Sequence, residues 1–392
     1  MKTIKKLFAL IISALITSSV IGPMAAIGQV KTSRRPAYTV ADLGTLAGGN
    51  TSFGFDMNNA GAVGGSSNLS VDDPAQHAVI WYRGQTIDLG TLGGPNSAAG
   101  GPNANFAAPV NSETALADPL GEAFCGFGNN LQCLAAVWRN GVLTSLPVLP
   151  NGRNSQAYGI NDAGQIVGFA ENAIPDDCAT PFQARRFEPV IWDADGQIRR
   201  LQIPDGDTVA FAFGINNSGQ SVGGSGLCSN TIIPPFANIT SPHATLWNSD
   251  GSAVDLGNLG GAINTASAIN NRGDVSGAAQ VPEGPVHAFM WTSKSGMQDL
   301  GTLAGDFLSV SPCCSTINDS RQVVGFSIGE NGPRAFIWDK GQMTDLNELV
   351  AGSPLYLLFA QAINERGQIT GFGVTETGEL HAFLATPTKR GS

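Results

Sequence analysis

Ile269-Asn270-Asn271-Arg272-Gly273, followed by the strand-like run Asp274-Val275-Ser276-Gly277, is one copy of a phrase that recurs along the whole chain. Its usual form is an apolar residue, an Asn, two residues, a Gly and then a short strand ending in Gly. Further copies begin at Met57-Asn58, Ile160-Asn161, Ile215-Asn216, Ile317-Asn318 and Ile363-Asn364, and a worn copy without the turn Gly reads Val110-Asn111-Ser112-Glu113-Thr114. Seven copies at a period of about 50 residues, made of short strands and Gly-rich turns, mark a propeller or a related array.

Four strands are predicted in each unit. Strand A ends in the Ile-Asn element, as in Ala266-Ser267-Ala268-Ile269. Asn and Gly tolerate the left-handed backbone of a tight hairpin, which leads into strand B, for example Gln165-Ile166-Val167-Gly168. Strand C is of the type His287-Ala288-Phe289-Met290-Trp291, and strand D of the type Gln298-Asp299-Leu300-Gly301-Thr302-Leu303. All six tryptophans (Trp81, Trp138, Trp192, Trp247, Trp291 and Trp338) fall at one repeat position, as expected of side chains packed between adjacent sheets.

The two ends of the repeat region complement one another. The last unit finishes strand C at His381-Ala382-Phe383-Leu384 and has no strand D after it, whereas a D-type strand, Tyr38 to Leu46, precedes the first unit. An N-terminal strand that completes the last blade closes the circle and leaves no terminal sheet edge unpaired. The expected fold is therefore all-β: a seven-bladed β-propeller of four-stranded blades over residues 38–386, with a C-terminal tail at 387–392.

Residues 1–28 read as a signal peptide, with Lys2, Lys5 and Lys6 ahead of the apolar run Leu7 to Ile21 and small residues at Ala25, Ala26 and Gly28. Residues 29–37 read as a linker. No second long apolar stretch follows, so no membrane span is expected after cleavage, and the product is expected to be secreted or periplasmic and monomeric. A formal charge of −10, with basic residues scattered, argues against nucleic acid or anionic lipid as partner. Six cysteines in an exported chain suggest disulfides: Cys125 with Cys133, Cys178 with Cys228 across matching loops, and the adjacent Cys313 and Cys314 as a vicinal pair or as thiols.

In its His-Ala-Phe triplets (His287 to Phe289 and His381 to Phe383), its Ile-Asn-Asn-x-Gly phrase and its Asp-Leu-Gly-Thr-Leu runs, the chain resembles the HAF family of probable extracellular repeats across residues 38–386. That resemblance implies export and a repeat architecture, and no reaction.

Candidate chemistry is sparse. The histidines His77, His243, His287 and His381 share one repeat position and so are spread around the ring, which prevents convergence on a metal; no metal or cofactor is expected. Each repeat pairs that position with the residue just before the strand D Leu: His77 with Asp88, Glu188 with Arg200, His243 with Asp255, His287 with Asp299, Arg334 with Asp345, His381 with Asp42, and Leu134 with Ser145. Charge or polarity covaries within each couple, so hydrogen-bonded pairs between neighbouring strands are expected. Asp72-Asp73 and Asp176-Asp177 do not match the calcium-loop pattern, and no nucleophile-elbow, zinc-protease or P-loop motif occurs.

In up-and-down blades the A–B and C–D turns share one face, and the B–C and D–A connections share the other. The long connections fall on that second face in the first four blades: Ser66 to Gln76, Gly93 to Ala108, Asp118 to Cys133, Phe169 to Phe187 and Gly224 to Pro242. Binding residues concentrate on such loops, and Phe182, Arg185, Arg186, Phe187 and Phe236 are the candidates. The expected function is a binding or interaction module for an extracellular glycan or protein. A polysaccharide hydrolase or lyase and a purely structural envelope component are the alternatives.

Overall fold

The computed structural model describes residues 37–180, 183–231, 241–282 and 284–388, without the side chains of 176–180 and 183. The segments read from the sequence as leader (1–28) and linker (29–37) lie, but for residue 37, outside the described residues. Those that are described belong to one unit, Pro36–Ser392. They form seven four-stranded antiparallel sheets, each with strand order A-B-C-D, arranged as a seven-bladed β-propeller. Blade 1 consists of Ser52–Met57, Val63–Ser70, Asp73–Tyr82 and Gln85–Gly90. Blades 2 to 6 follow at 93–145, 155–200, 209–255, 264–299 and 308–345.

Blade 7 is built from both ends of the repeat region. Leu355–Ile363, Ile369–Thr375 and Leu380–Pro387 supply strands A to C, and Tyr38–Asp42 lies antiparallel to the last of these as strand D, from Tyr38 opposite Pro387 to Asp42 opposite Phe383. The apolar clusters lie between neighbouring sheets. Trp81 packs with Ala362 and Ala382 of blade 7, Trp192 with Ala135 and Val137 of blade 2, and Trp247 with Val167 and Ile191 of blade 3.

The recurrent Asn has a second use besides its hairpin. In Asn216, Oδ1 accepts from the N–H groups of Ser218 and Gln220 and so folds its own turn, while Nδ2 donates to the backbone carbonyl of Asn270 in blade 5. The same link runs from Asn270 to Asn318, then to Asn364, Asn58, Asn103, Asn161 and back to Asn216, at 2.9 to 3.3 Å. A closed ring of seven buried side chains thus stitches every blade to the next around the axis.

Blade 2 corrects one expectation. Val110-Asn111-Ser112 lies inside strand B (Ala108–Ala117), and the turn is made by Asn103 to Ala107. Gly93–Ala99 is therefore the blade's inner strand and not a D–A connection. The turn was hidden because Phe106, at φ 59°, fills the left-handed position that Gly holds in most blades, and its ring rests edge-on against Tyr82. Two other long connections are largely hairpin: strands B and C extend to Ser70 and from Asp73 in blade 1, and to Thr180 and from Gln183 in blade 3.

Candidate binding face

The Asp-Leu-Gly ends of strand D open the face that carries the B–C and D–A connections. Asp42, Asp88, Asp255 and Asp299 each accept from the N–H two residues later, at Gly44, Gly90, Gly257 and Gly301, all of which have positive φ. The same carboxylates meet the strand C histidines. His77 Nδ1 lies 3.0 Å from Asp88, His287 Nδ1 3.0 Å from Asp299, and His381 Nδ1 2.9 Å from Asp42. Arg334 reaches Asp345 at 3.1 Å and Asp306 at 2.8 Å, and Arg200 reaches Glu188 at 2.6 Å. His243 departs from the pattern: its partner is Asp207, at 2.9 Å, in the connection entering blade 4, and not Asp255. These couples sit on separate blades and converge on no common point.

The aromatic candidates are redistributed. Phe187 is fully buried, packed 5.5 Å from Phe169 in a cluster with Phe124, Phe211 and Phe213, so it serves the core and is removed from the candidate ligand contacts. Phe182 and Phe236 lie outside the described residues and side chains. Arg185 donates to the carbonyl of Asn151 at 2.8 Å, and Arg186 has a partner of its own. Cys125 bridges Cys133, and Cys313 bridges Cys314. Cys228 is disulfide-bonded as well, while the side chain of Cys178 falls outside the description.

Among the described residues, the large apolar side chains that reach solvent on this face in blades 1 to 4 are aliphatic, and Phe307 (44% exposed) does so on the connection entering blade 6. Val71 (68% exposed) caps the blade 1 hairpin, Leu116 (65%) stands at the end of strand B in blade 2 and Leu120 on the connection after it, Ile174 on the extended part of strand B in blade 3 and Leu227 on the B–C connection of blade 4. Four successive blades therefore each present a large apolar side chain in one crescent, with the exposed carboxylates Asp72, Asp73 and Asp205 around it. Apolar residues inside Pro- and Gly-bearing loop sequence were the available signal for this crescent, since a loop residue with no strand periodicity has no core face to occupy.

Beneath the crescent lies a group of buried acids. Glu171 ends the regular part of strand B in blade 3, and its Oε2 accepts from the N–H groups of Arg153 and Asn154. Glu122, from the blade 2 loop, accepts from the Ala184 N–H through Oε1. Asp118 accepts from the Leu120 and Glu122 N–H groups and from Asn154 Nδ2. Burial, and then the neighbouring Glu122 and Asp118, push the Glu171 pKa up from 4.5 to about 9. Near the axis, Asp56 accepts from the Met57 N–H, and burial raises its pKa to about 6. Both glutamates are shut off from solvent, so neither can touch a substrate. Among the described residues no group of three or more His, Cys, Asp or Glu is arranged to hold a metal ion, and no helix is long and apolar enough to cross a membrane. On the opposite face, a cavity of about 450 Å³ between blades 1 and 7 is lined by Tyr82, Arg83, Arg366 and Gln368, with no acid–base couple.

No family model matches the chain, and no curated protein does. The matches among solved structures are distant. A puromycin hydrolase is 14% identical with a TM-score of 0.48, the match covering 92% of this chain and 53% of that one. The acylaminoacyl peptidase of Pyrococcus horikoshii is 11% identical at 0.44, covering 86% and 52%. TolB from Acinetobacter baumannii is 11% identical at 0.39, covering 87% and 65%. The chain spans about half the length of the hydrolase and the peptidase.

Proposed function

We propose that the chain is an exported binding module that takes a protein partner on the long-loop face of blades 1 to 4. The observation that carries this reading is the crescent of Val71, Leu116, Leu120, Ile174 and Leu227, five exposed aliphatic side chains on one face of four consecutive blades. Exposed apolar patches on a rigid scaffold mark interaction sites. Sugar-binding surfaces rely instead on flat aromatic platforms; Phe187 is buried, and the exposed ring of Phe307 stands apart from the crescent, on the connection entering blade 6. Asp72, Asp73 and Asp205, together with the net charge of −10, favour a partner bearing apolar and basic side chains and disfavour anionic lipid and nucleic acid. Disulfides belong to oxidising compartments, which agrees with the leader and with the HAF-type repeats.

The test compares wild type with the triple variant Leu116→Asn, Leu120→Asn, Leu227→Asn in two assays: photo-cross-linking from position 71 in the extracytoplasmic fraction, and retention on an array of bacterial and plant polysaccharides. One saturable protein adduct, weakened by salt and lost in the triple variant, is expected. Retention of a polysaccharide by both proteins would replace the protein partner with a glycan, and an adduct indifferent to the triple variant would remove the crescent as the binding surface.

A further inference from the structure

Glu171 and Glu122 come from different blades and meet in a place closed to solvent, at 0% and 2% exposure. The strand register (Ser52 opposite Ser67, Ser97 opposite Ser112, Ser155 opposite Ala170, Asn264 opposite Ala279) makes Asn68 of blade 1, Glu113 of blade 2 and Gln280 of blade 5 polar counterparts of Glu171, and the acid among them, Glu113, is met by two donors, Asn96 Nδ2 and Asn129 Nδ2. At Asn68, Gln280 and Glu171 one side-chain oxygen caps the chain entering the inner strand. Asn68 Oδ1 accepts from the Asn50 and Thr51 N–H groups, Gln280 Oε1 from the Ala262 N–H, and Glu171 Oε2 from Arg153 and Asn154. In blades 1 and 5 the other side-chain atom is a donor: Asn68 Nδ2 gives to the Ser70 carbonyl and to Asn50, and Gln280 Nε2 to the Gly284 carbonyl. In Glu171 that atom is Oε1. It meets no donor, and neither does Oε2 of the neighbouring Glu122.

We infer that Glu171 is protonated at neutral pH and donates to Glu122, so that one shared proton latches the blade 2 loop onto blade 3. Two buried carboxylates facing each other without a cation are untenable, and a single proton converts the Glu171 oxygen into a donor such as Asn68 and Gln280 supply in their blades. The acids bearing on the pair are each other and Asp118, whose oxygens are spent on Leu120, Glu122 and Asn154. Among the described residues no basic side chain bears on Glu171: Arg153 meets it through its backbone, Arg185 donates to Asn151, and Glu188 on the adjacent strand is paired with Arg200.

Leu116 and Leu120 each stand two residues before a member of this group, and Ile174 three residues after Glu171. Loss of the proton therefore frees the blade 2 and blade 3 parts of the crescent. This consequence rests on the binding reading above, whereas the proton itself does not. The test accordingly uses the ligand-free protein.

Wild type, Glu171→Gln and Glu122→Gln are unfolded in urea between pH 6 and 8, and the infrared band of a protonated carboxyl is recorded at pH 7.5. In wild type the folded-to-unfolded ratio is expected to fall about tenfold per pH unit relative to Glu171→Gln, because the folded state alone holds the proton across that range. The band should be present in wild type and absent from both variants. Hydrogen exchange at Ala184 should quicken with pH in wild type beyond the rise seen in the variants. Parallel stability profiles, or a wild type without the band, would overturn the latch. So would stabilisation of wild type, but not of Glu171→Gln, by Ca²⁺, which would put a metal where the proton is placed. Should Glu171→Gln not fold, the wild-type band and its loss in Glu122→Gln decide the matter.

Discussion

Replacing Asn216 by Ala removes the blade 4 link in the ring and the support of its own turn together. The side chain is 3% exposed, its Oδ1 accepts from Ser218 and Gln220 at 3.0 Å each, and its Nδ2 donates to the Asn270 carbonyl at 3.1 Å. Two lost turn bonds at about 1 kcal/mol each, with about 1–3 kcal/mol for a carbonyl left buried and unpaired, give a destabilisation of about 3–5 kcal/mol. Asn217→Ala is the control. Asn217 is exposed, its amide pairs with Asp162 at 2.9 Å, and its loss should cost under about 1 kcal/mol. Asn216→Asp separates the two roles, since it keeps the acceptor for the turn but sets a second oxygen against the Asn270 carbonyl. It should be as harmful as Ala at pH 7.5 and should recover as the pH falls and the carboxyl takes up a proton. Urea unfolding read by Trp fluorescence measures all three. If Asn216→Asp matches wild type at pH 7.5, the inter-blade bond contributes nothing and the ring is a by-product of turn geometry.

Three further expectations follow from other parts of the molecule. His381→Ala and Asp42→Ala each weaken the join between the two ends of the repeat region, and their double-mutant cycle should show coupling above about 0.5 kcal/mol by thermal unfolding; additivity would mean that the 2.9 Å pair does not stabilise the closure. Asp56 has a folded pKa of about 6 against 3.8 for the free side chain, so the folded state holds the proton longer; the associated stability is complete below pH 4 and lost as the pH rises to 6. Asp56→Asn should flatten that part of the profile and gain on wild type by on the order of 2–3 kcal/mol at pH 7, and an unchanged profile would contradict it. Arg321 has a φ of 61° where most repeats have Gly, yet Arg321→Gly should destabilise by about 1–3 kcal/mol, because the guanidinium lies 2.8 Å from Asp274, which is 4% exposed and would be left unpaired; a stabilised variant would show that relief of the turn outweighs the ion pair.

The parts of the molecule that could be read from the chain are those that local chemistry repeats. The missing strand D at one end and its double at the other point to closure, and Tyr38–Asp42 does close blade 7. The Asp-Leu-Gly runs and the strand C histidines meet because they are neighbours on adjacent strands, whereas His243 turns to Asp207 because a loop carboxylate lies closer than the strand position. Blade 2 misled because Phe106 does the work of a Gly, and only the hydrogen bonds of Asn103 reveal the turn. The meeting of Glu122 and Glu171 leaves no trace in either repeat alone. It arises when an inserted loop of one blade folds over the strand end of the next. Phe187 stands beside Arg185 and Arg186 in what reads as loop, but the blade 3 hairpin carries it into the core.

The join at blade 7 also sets an order of events during synthesis. Tyr38–Asp42 is the first strand of the propeller to be made, and the strand it needs, Leu380–Pro387, is the last. At 5–20 residues per second the interval is roughly 20–70 s, during which the early strand has no partner of its own and the circle stays open. A chain in that state can still be threaded end-first through a narrow passage. Once the two ends meet it cannot, so any such passage has to precede the docking of the last strand.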